Sequence, residues 1–144
     1  MSIIDIFQPT ASNDEYVEAV NRLMSQLVPV AEKVRINSLD EIVSSTNVHL
    51  FLLSVDGYIA GMCTLAFYTT PTGRKAWIED VVVDSFYRGR HLGEMLVDKA
   101  IHFAAEKGSC QLMLTSRPSR IAANLMYQKL GFERKETNVY IMRL

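Results

Sequence analysis

Two glycines and two arginines stand between a predicted strand and a predicted helix, in the run Arg88-Gly89-Arg90-His91-Leu92-Gly93. The start of a helix presents free backbone N–H groups and a partial positive charge, so it suits an anion, above all a phosphate. The glycines would let the backbone approach a ligand closely, and the arginines add charge-assisted donors. The run lacks the terminal Gly-Lys-Ser/Thr of a Walker loop and the three-glycine spacing of a dinucleotide fingerprint. Taken alone, it predicts either a phosphate-binding loop or a solvated basic turn.

Three other side chains could transfer protons. Tyr127 falls on an apolar face near the end of a predicted helix, where it is either core or an acid. A phenol, with a pKa of about 10, can protonate a departing thiolate within hydrogen-bond reach. Glu79 and Asp80 are neighbours on a predicted central strand, where a chance pair of costly buried carboxylates is not expected. Because adjacent strand residues face opposite sides, we expect one in a cleft as general base and the other paired structurally or near a turn, not a dyad.

The composition disfavours several classes of function. The 144 residues carry a formal net charge of −1, which gives no overall basic field for nucleic acid. No apolar run approaches the ~20 residues of a membrane span, and residues 1–5 do not resemble a signal peptide. Cys63 and Cys110 lie in separate apolar stretches and the three histidines are scattered, which predicts reduced packing cysteines and no metal site. We therefore expect a cytoplasmic protein without nucleic-acid or membrane partners.

The hydrophobic periodicity predicts the elements that position these residues. A helix capped by Ser12 or Asn13 extends to Pro29, and Ser38-Leu39-Asp40-Glu41 matches a capping box for a short second helix. Asp56-Gly57 is a strong two-residue hairpin signal. The predicted strands cover residues 2–7, 49–55, 58–68, 76–83, 111–115 and 137–142, and two further helices cover 91–106 and 119–130, the last capped by Ser119.

The predicted order is β-α-α-β-β-β-α-β-α-β, in a single domain over residues 1–144. Hairpins in the first half and strand–helix–strand units in the second imply a mixed, mostly antiparallel sheet with helices on both faces. The fold class is α/β or α+β, according to the convention used.

Three sequence blocks together resemble the GCN5-related N-acetyltransferase (GNAT) family, over nearly the whole chain. They are Val81-Val82-Val83-Asp84, Tyr87-Arg88-Gly89-Arg90-His91-Leu92-Gly93 and Tyr127-Gln128-Lys129-Leu130-Gly131-Phe132. The family signature is Gln/Arg-x-x-Gly-x-Gly/Ala, in which His91 takes the place of the internal glycine. Residues 77–83 with the loop are also similar to the glucosamine-6-phosphate N-acetyltransferase branch.

The resemblance implies an acetyl-CoA site and no metal. Backbone N–H groups from Arg88 to Gly93 would hold the pyrophosphate, and the edge of the strand at 81–83 would pair with pantetheine as an added strand does. Tyr127 would be the acid for the CoA thiolate, with Asn124 a ligand neighbour on the same helix. The implied binding residues are therefore Val81, Val82, Val83, Arg88, Gly89, Arg90, His91, Leu92, Gly93, Asn124 and Tyr127.

The hypothesis for the chemistry is direct acetyl transfer to a primary amine. Glu79 removes a proton from the amine through water, and a main-chain N–H near Val81 polarises the thioester carbonyl. Tyr127 then protonates the leaving sulfur. Asp80 could serve as the base in place of Glu79, and Cys110 is expected to pack and not to act as a nucleophile.

Several alternatives stay open at this level. The chain could be an acyl-CoA-binding sensor without catalysis or, less in keeping with the loop and Tyr127, an aromatic-rich interaction module. The acceptor could be a small amine, an amino sugar or a peptide N-terminus, selected by residues 22–45 and the turn at 70–74. Apolar strand edges make a homodimer plausible.

Overall fold

The computed structural model describes residues 1–28, 36–108 and 110–144, and its centre is one mixed sheet in the order β1-β2-β3-β4-β5. The strands β1 to β4 are antiparallel to one another, whereas β5 is parallel to β4. The strands are β1 (Ile4–Phe7), β2 (Val48–Val55), β3 (Tyr58–Thr70), β4 (Gly73–Val83) and β5 (Gln111–Met113). The helices are α1 (Asp14–Leu27), α2 (Ile36–Ser44), α3 (Leu92–Glu106) and α4 (Ile121–Lys129), with a 3-10 turn at Ser85–Tyr87. The predicted fold class, a mixed and mostly antiparallel sheet flanked by helices, is confirmed.

Both faces of the sheet are covered, because the central strands carry apolar residues at consecutive positions. On β2, Phe51 and Leu53 face a core shared with α3, whereas Leu50 and Leu52 face a second core shared with α1 and α2. Leu23 of α1 is fully buried in the second core. The central strands therefore lie between two apolar cores, one on each face of the sheet.

Two local predictions for the first half are confirmed. Asp56 and Gly57 have φ of 49° and 85°, the paired positive values that a two-residue hairpin turn of type I′ requires. Asn13 caps α1, and its Oδ1 accepts a hydrogen bond from Tyr16 N at 2.8 Å.

Two predicted helix caps are wrong. Ser38 lies inside α2, which begins at Ile36, so residues 38–41 are not a capping box. Leu39 is fully buried, so its packing stabilises α2. A serine inside a helix lowers the stability of that helix only slightly, so Ser38 is tolerated there. The N-cap of α4 is Arg120, without a side-chain hydrogen bond, and not Ser119.

The prediction of a last strand at residues 137–142 is also wrong. Phe132 packs against the core, but every residue from 133 to 144 is exposed and none belongs to a strand. A strand forms only where a neighbour pairs with its backbone groups, and this segment has no such neighbour in the sheet. The sheet therefore has five strands among the described residues, whereas six were predicted.

Both cysteines are free: Cys63 is buried and Cys110 half-buried. Burial raises the pKa of the Cys63 thiol to about 12, so it remains protonated at neutral pH. Among the helices of the described ranges, none is long and apolar enough to cross a membrane.

Candidate functional site

A cleft of about 1350 Å³ opens beside the second half of β4. β4 pairs with β5 only from Lys75 to Trp77, so the backbone of β4 beyond that point has no strand on this side. The open edge therefore becomes one wall of the cleft. The other walls are the loop at 87–93 with the start of α3, the segment 114–117 after β5, the first half of α4 with Tyr127, and the end of α1.

A bulge in β4 places Glu79 and Asp80 in this cleft together. Thr64 of β3 pairs with Glu79 and Met62 pairs with Val82, so β4 carries one extra residue here. Asp80 has a φ of 52°, in the left-handed region, which breaks the side-to-side alternation of the strand. Both residues are exposed and line the cleft. The prediction that only one of them reaches the cleft is therefore wrong, and neither carries the full cost of burial.

Partial burial of the side chain raises the pKa of Glu79, and the negative charge of Asp80 raises it further. A carboxylate with a raised pKa is a stronger base when ionised, and its pKa lies closer to neutral pH. The electrostatics thus favour Glu79 as a proton acceptor, with Asp80 as the group that tunes it.

The loop at 88–93 ends in a helix start that no side chain caps. His91 is the N-cap of α3 with a φ of 60°, and its side chain makes no capping hydrogen bond. It therefore adopts a left-handed conformation of the kind that glycine takes freely and histidine tolerates better than most residues. Gly89 is also left-handed, with a φ of 80°. The first residues of α3, Leu92 to Glu94, line the cleft, and the N-cap side chain provides no acceptor for their N–H groups.

Gly93 is not required by packing. A Cβ added there would meet only Met126 Sδ and Val83 Cγ2, each at an ordinary 3.8 Å. Arg88 reaches back to the strand, where its Nε donates to Val83 O at 3.1 Å. Arg90 lies outside the cleft lining, with its guanidinium 5.2 Å from the centre of the Tyr87 ring.

Asp84 anchors the loop to the rest of the protein and is only 3% exposed. Its Oδ2 accepts a hydrogen bond from Arg22 Nη1 of α1 at 2.5 Å, and its Oδ1 accepts one from Phe86 N at 3.0 Å. Its backbone N donates to Ala60 O of β3 at 2.7 Å. Asp84 therefore joins α1 and the start of the loop through its carboxylate, and β3 through its backbone N–H.

We expect Asp84→Asn to lower the free energy of unfolding by about 2 kcal/mol, because the Arg22 guanidinium loses its negatively charged partner. Chemical denaturation measures the loss. Asp98→Asn is the matched control and should change stability little, since the Asp98 carboxylate is 54% exposed and 3.5 Å from His102 Nδ1. Equal losses from both variants would contradict the anchoring role of Asp84.

Tyr127 lines the cleft and is 5% exposed. Burial raises the pKa of its phenol, while the charge and the hydrogen bond of Arg120 act in the opposite direction. Its ring packs edge-on against Phe132, with the ring centres 6.0 Å apart. The ring is therefore held against Phe132, and the phenol is protonated at neutral pH.

The remaining predicted binding residues differ in how they contact the cleft. Val81 and Val83 line the cleft and pack on the core below α3, whereas the side chain of Val82 lies in the opposite core, so only its backbone can serve the cleft. Leu92 is buried and lines the cleft. Asn124 is outside the lining, and its Nδ2 donates to Arg117 O and Arg120 O, each at 2.9 Å.

Several lining residues of the cleft were not named individually from the sequence, among them Arg120, Gln26 and Ser116. Arg120 acts on Tyr127, and Gln26 Oε1 accepts a hydrogen bond from Ser85 N at 2.9 Å. Ser116 Oγ is buried without a hydrogen-bond partner among the described residues, and Ser116 lines the cleft. The sequence carried a signal for Arg120, the N-cap of α4, which stands seven residues or about two helical turns before Tyr127. Gln26 falls within the predicted acceptor region 22–45.

The regions predicted to select the acceptor are only partly at the cleft. Leu27 and Val28 line it at the end of α1. Pro29, Val30 and Glu32, which were part of that prediction, lie outside the described residues, and the turn at 70–74 is not among the lining residues. Hydrogen bonds from Ser12 lower the pKa of Asp40, which ties that carboxylate to the segment before α1.

Within the described ranges, no group of three or more His, Cys, Asp or Glu side chains could hold a metal ion.

Comparison with known proteins relates this chain to one family. The family model described as acetyltransferase (GNAT) family matches residues 12–132. A Bacillus subtilis protein provisionally named as a ribosomal protein bS18-alanine N-acetyltransferase is 29% identical over 93 residues, which are 65% of this chain and 59% of that protein. A thialysine N-epsilon-acetyltransferase from Bos taurus is 31% identical over 86 residues, which are 56% of this chain and 51% of that protein. The chain thus spans only part of the length of these relatives.

The same fold occurs in a glucosamine-6-phosphate N-acetyltransferase from Arabidopsis thaliana. Its solved structure matches with a TM-score of 0.82 at 21% identity, over 97% of this chain and 98% of that one. At this identity the likeness supports the fold alone.

Proposed function

The chain belongs to the GNAT family of acetyltransferases, and we propose that residues 1–144 act as one N-acetyltransferase domain that moves the acetyl group of acetyl-CoA directly to a primary amine. The observation that carries this proposal is the convergence of three features in one cleft: the uncapped start of α3, the bulged pair Glu79 and Asp80, and the protonated phenol of Tyr127. A phosphate site alone would account for the first feature only.

The walls of the cleft fit acetyl-CoA. The N–H groups at 88–93 suit the pyrophosphate, and the open backbone edge at 81–83 suits the amides of pantetheine. The buried, unpartnered Ser116 Oγ would gain a hydrogen bond from a ligand in the cleft, which relieves a cost of about 1–3 kcal/mol. Residue by residue, the proposed contacts are thus the backbone from Arg88 to Gly93, the strand edge at 81–83 and Ser116.

In the proposed reaction the amine enters as an ammonium ion and gives one proton to Glu79 through water. The free amine attacks the thioester carbonyl, which a main-chain N–H near Val81 polarises. As the C–N bond forms, the C–S bond breaks and the CoA thiolate takes the proton of Tyr127. The second proton of the nitrogen passes to solvent, from which Tyr127 is protonated again.

We expect Gly93→Ala to raise the KM for acetyl-CoA by roughly tenfold to a hundredfold, because a methyl group at the helix start keeps the pyrophosphate from the N–H groups. The free energy of unfolding should stay the same or rise, since the added Cβ has room and alanine favours helix. Steady-state kinetics and thermal unfolding measure the two effects. An unchanged KM would contradict binding at this helix start.

A panel of amines separates this function from the acyl-CoA sensor. Release of free thiol from acetyl-CoA that depends on an added amine supports transfer, whereas tight acetyl-CoA binding without thiol release supports the sensor. The panel should hold a peptide with an N-terminal alanine, thialysine and glucosamine 6-phosphate, the acceptors that the relatives' names describe. The exposed acidic pair at the cleft favours a cationic amine as acceptor. A cytoplasmic location stays a prediction.

A further inference from the structure

The negative side chain of Glu94 lies at the helix start that is proposed to bind the pyrophosphate. Glu94 is in the first turn of α3 and lines the cleft, and 27% of its side chain is exposed. Its carboxylate stabilises α3, because it lies near the positive end of the helix dipole. The same negative charge repels an anion at that helix start, so an uncompensated Glu94 would weaken the binding of a pyrophosphate.

Two basic side chains compensate the charge of Glu94. Nζ of Lys129, the last residue of α4, is 3.1 Å from Glu94 Oε1 and donates a hydrogen bond to Oε2 at 3.3 Å. His91 Nδ1 is 3.5 Å from Oε2. The hydrogen bond and the charge of Lys129 hold the pKa of Glu94 below its usual value, and His91 acts in the same direction, while desolvation opposes them. Glu94 is thus ionised and paired at neutral pH.

The two arginines of the loop are engaged elsewhere. Arg88 donates a hydrogen bond from its Nε to a backbone carbonyl at the end of β4, and the guanidinium of Arg90 lies over a tyrosine ring. Lys129 is outside the cleft lining, so in this structure it acts on the proposed phosphate site through Glu94. The charge at the helix start therefore depends on the pairing of Glu94 with Lys129.

We propose that Lys129 sets the affinity for acetyl-CoA by neutralising Glu94, so that the start of α3 accepts a pyrophosphate. The inference rests on the proposed function, because it takes this helix start as the phosphate site. Since Lys129 acts through Glu94 and touches no part of the ligand, it is a positioning residue and not a catalytic one. Without Lys129, the carboxylate and the phosphates would stand as like charges at one end of the helix.

A purely structural tie between α3 and α4 is the alternative role of this ion pair. Lys129 follows Tyr127 by two residues, and the pair joins the end of α4 to the start of α3. The two roles predict opposite results for Glu94→Gln, which breaks the pair but also removes the negative charge. A structural tie is lost in either variant, whereas the neutralising effect is needed only while the charge of Glu94 is present.

Calorimetric titration of the whole chain with CoA at low ionic strength tests the proposal. We expect Lys129→Gln to raise the Kd about five- to tenfold, and Glu94→Gln to leave the Kd unchanged or to lower it up to about fivefold. Adding Lys129→Gln to Glu94→Gln should alter the Kd by less than about twofold. Lys99→Gln removes the same charge from an exposed position on α3, and this matched control should keep the Kd within about twofold of the wild type.

Salt and stability provide two further readouts. The effect of Lys129→Gln on the Kd should fall below about threefold at about 1 M salt, because salt screens exposed charges. The melting temperature should change little in every variant, since a pair in which the Lys129 side chain is 66% exposed contributes little to stability.

Two results would overturn the proposal while leaving acetyl transfer standing. One is that both single variants weaken CoA binding alike, which indicates a structural tie. The other is that Lys129→Gln has the same effect with and without the charge of Glu94, which indicates a direct contact of Lys129 with the ligand. A wild type that binds no CoA would overturn the proposed function and this inference together.

Discussion

Glu79→Gln is expected to lower kcat/KM by at least about a hundredfold at neutral pH, the range typical for loss of a general base. Glutamine keeps the size of the side chain and its place in the bulge but cannot accept the proton of the ammonium ion. The acidic limb of the pH profile of kcat/KM should disappear with it. Steady-state rates of thiol release over a pH series measure both effects.

Stability provides an internal control for this variant. The pKa of Glu79 is raised in the folded protein, so the protonated form favours folding, and this contribution is lost as pH rises through the folded pKa. Replacing Glu79 by neutral glutamine removes the cost of holding the ionised carboxylate, and stability at neutral pH should be unchanged or slightly higher. A loss of activity therefore cannot be attributed to unfolding.

Asp80→Asn is the matched partner of this variant. Asparagine tolerates the left-handed φ of 52° at this position, so the bulge persists while its negative charge is removed. Without that charge the pKa of Glu79 falls, and the acidic limb should move to lower pH with most of the activity retained. If Asp80→Asn abolishes the limb and Glu79→Gln leaves it, Asp80 is the base.

The bulge also shows where prediction from the sequence stops. The hairpin at Asp56-Gly57 and the cap at Asn13 were predictable because each depends on a few adjacent residues, and both are confirmed. The register shift opposite Cys63 depends on how two strands meet, and the sequence of β4 alone does not contain it. Strict alternation therefore put Glu79 and Asp80 on opposite sides, whereas one left-handed residue brings both to the cleft.

The strand predicted at 137–142 failed for a related reason. Its apolar alternation and its β-branched residues express a real preference, but a strand exists only where another strand pairs with it. The periodicity identified the segment and could not identify its partner. In the same way, the position of Asn124 near Tyr127 along α4 suggested a ligand contact, while its amide is engaged with the backbone at Arg117 and Arg120.

Tyr127→Phe is expected to lower kcat by about a hundredfold while the Kd for acetyl-CoA stays within about twofold. The ring, which packs against Phe132, is kept, so only the proton donor is lost. Because the pKa of the phenol is raised, the wild type should show no basic limb from Tyr127 below about pH 10. Rapid-mixing kinetics and equilibrium binding separate the two constants.

A thioester with a different leaving group tests whether Tyr127 acts as the acid. An acetyl thioester of an aromatic thiol, whose thiolate leaves without a proton, should restore much of the rate of Tyr127→Phe, whereas it should not rescue Glu79→Gln. Tyr87→Phe is the control, since Tyr87 also lines the cleft and its ring still stacks on Tyr58, with the ring centres 5.5 Å apart. Its rate should change little. Equal effects of the two tyrosine variants, or no rescue by the better leaving group, would assign the proton on the sulfur to another donor.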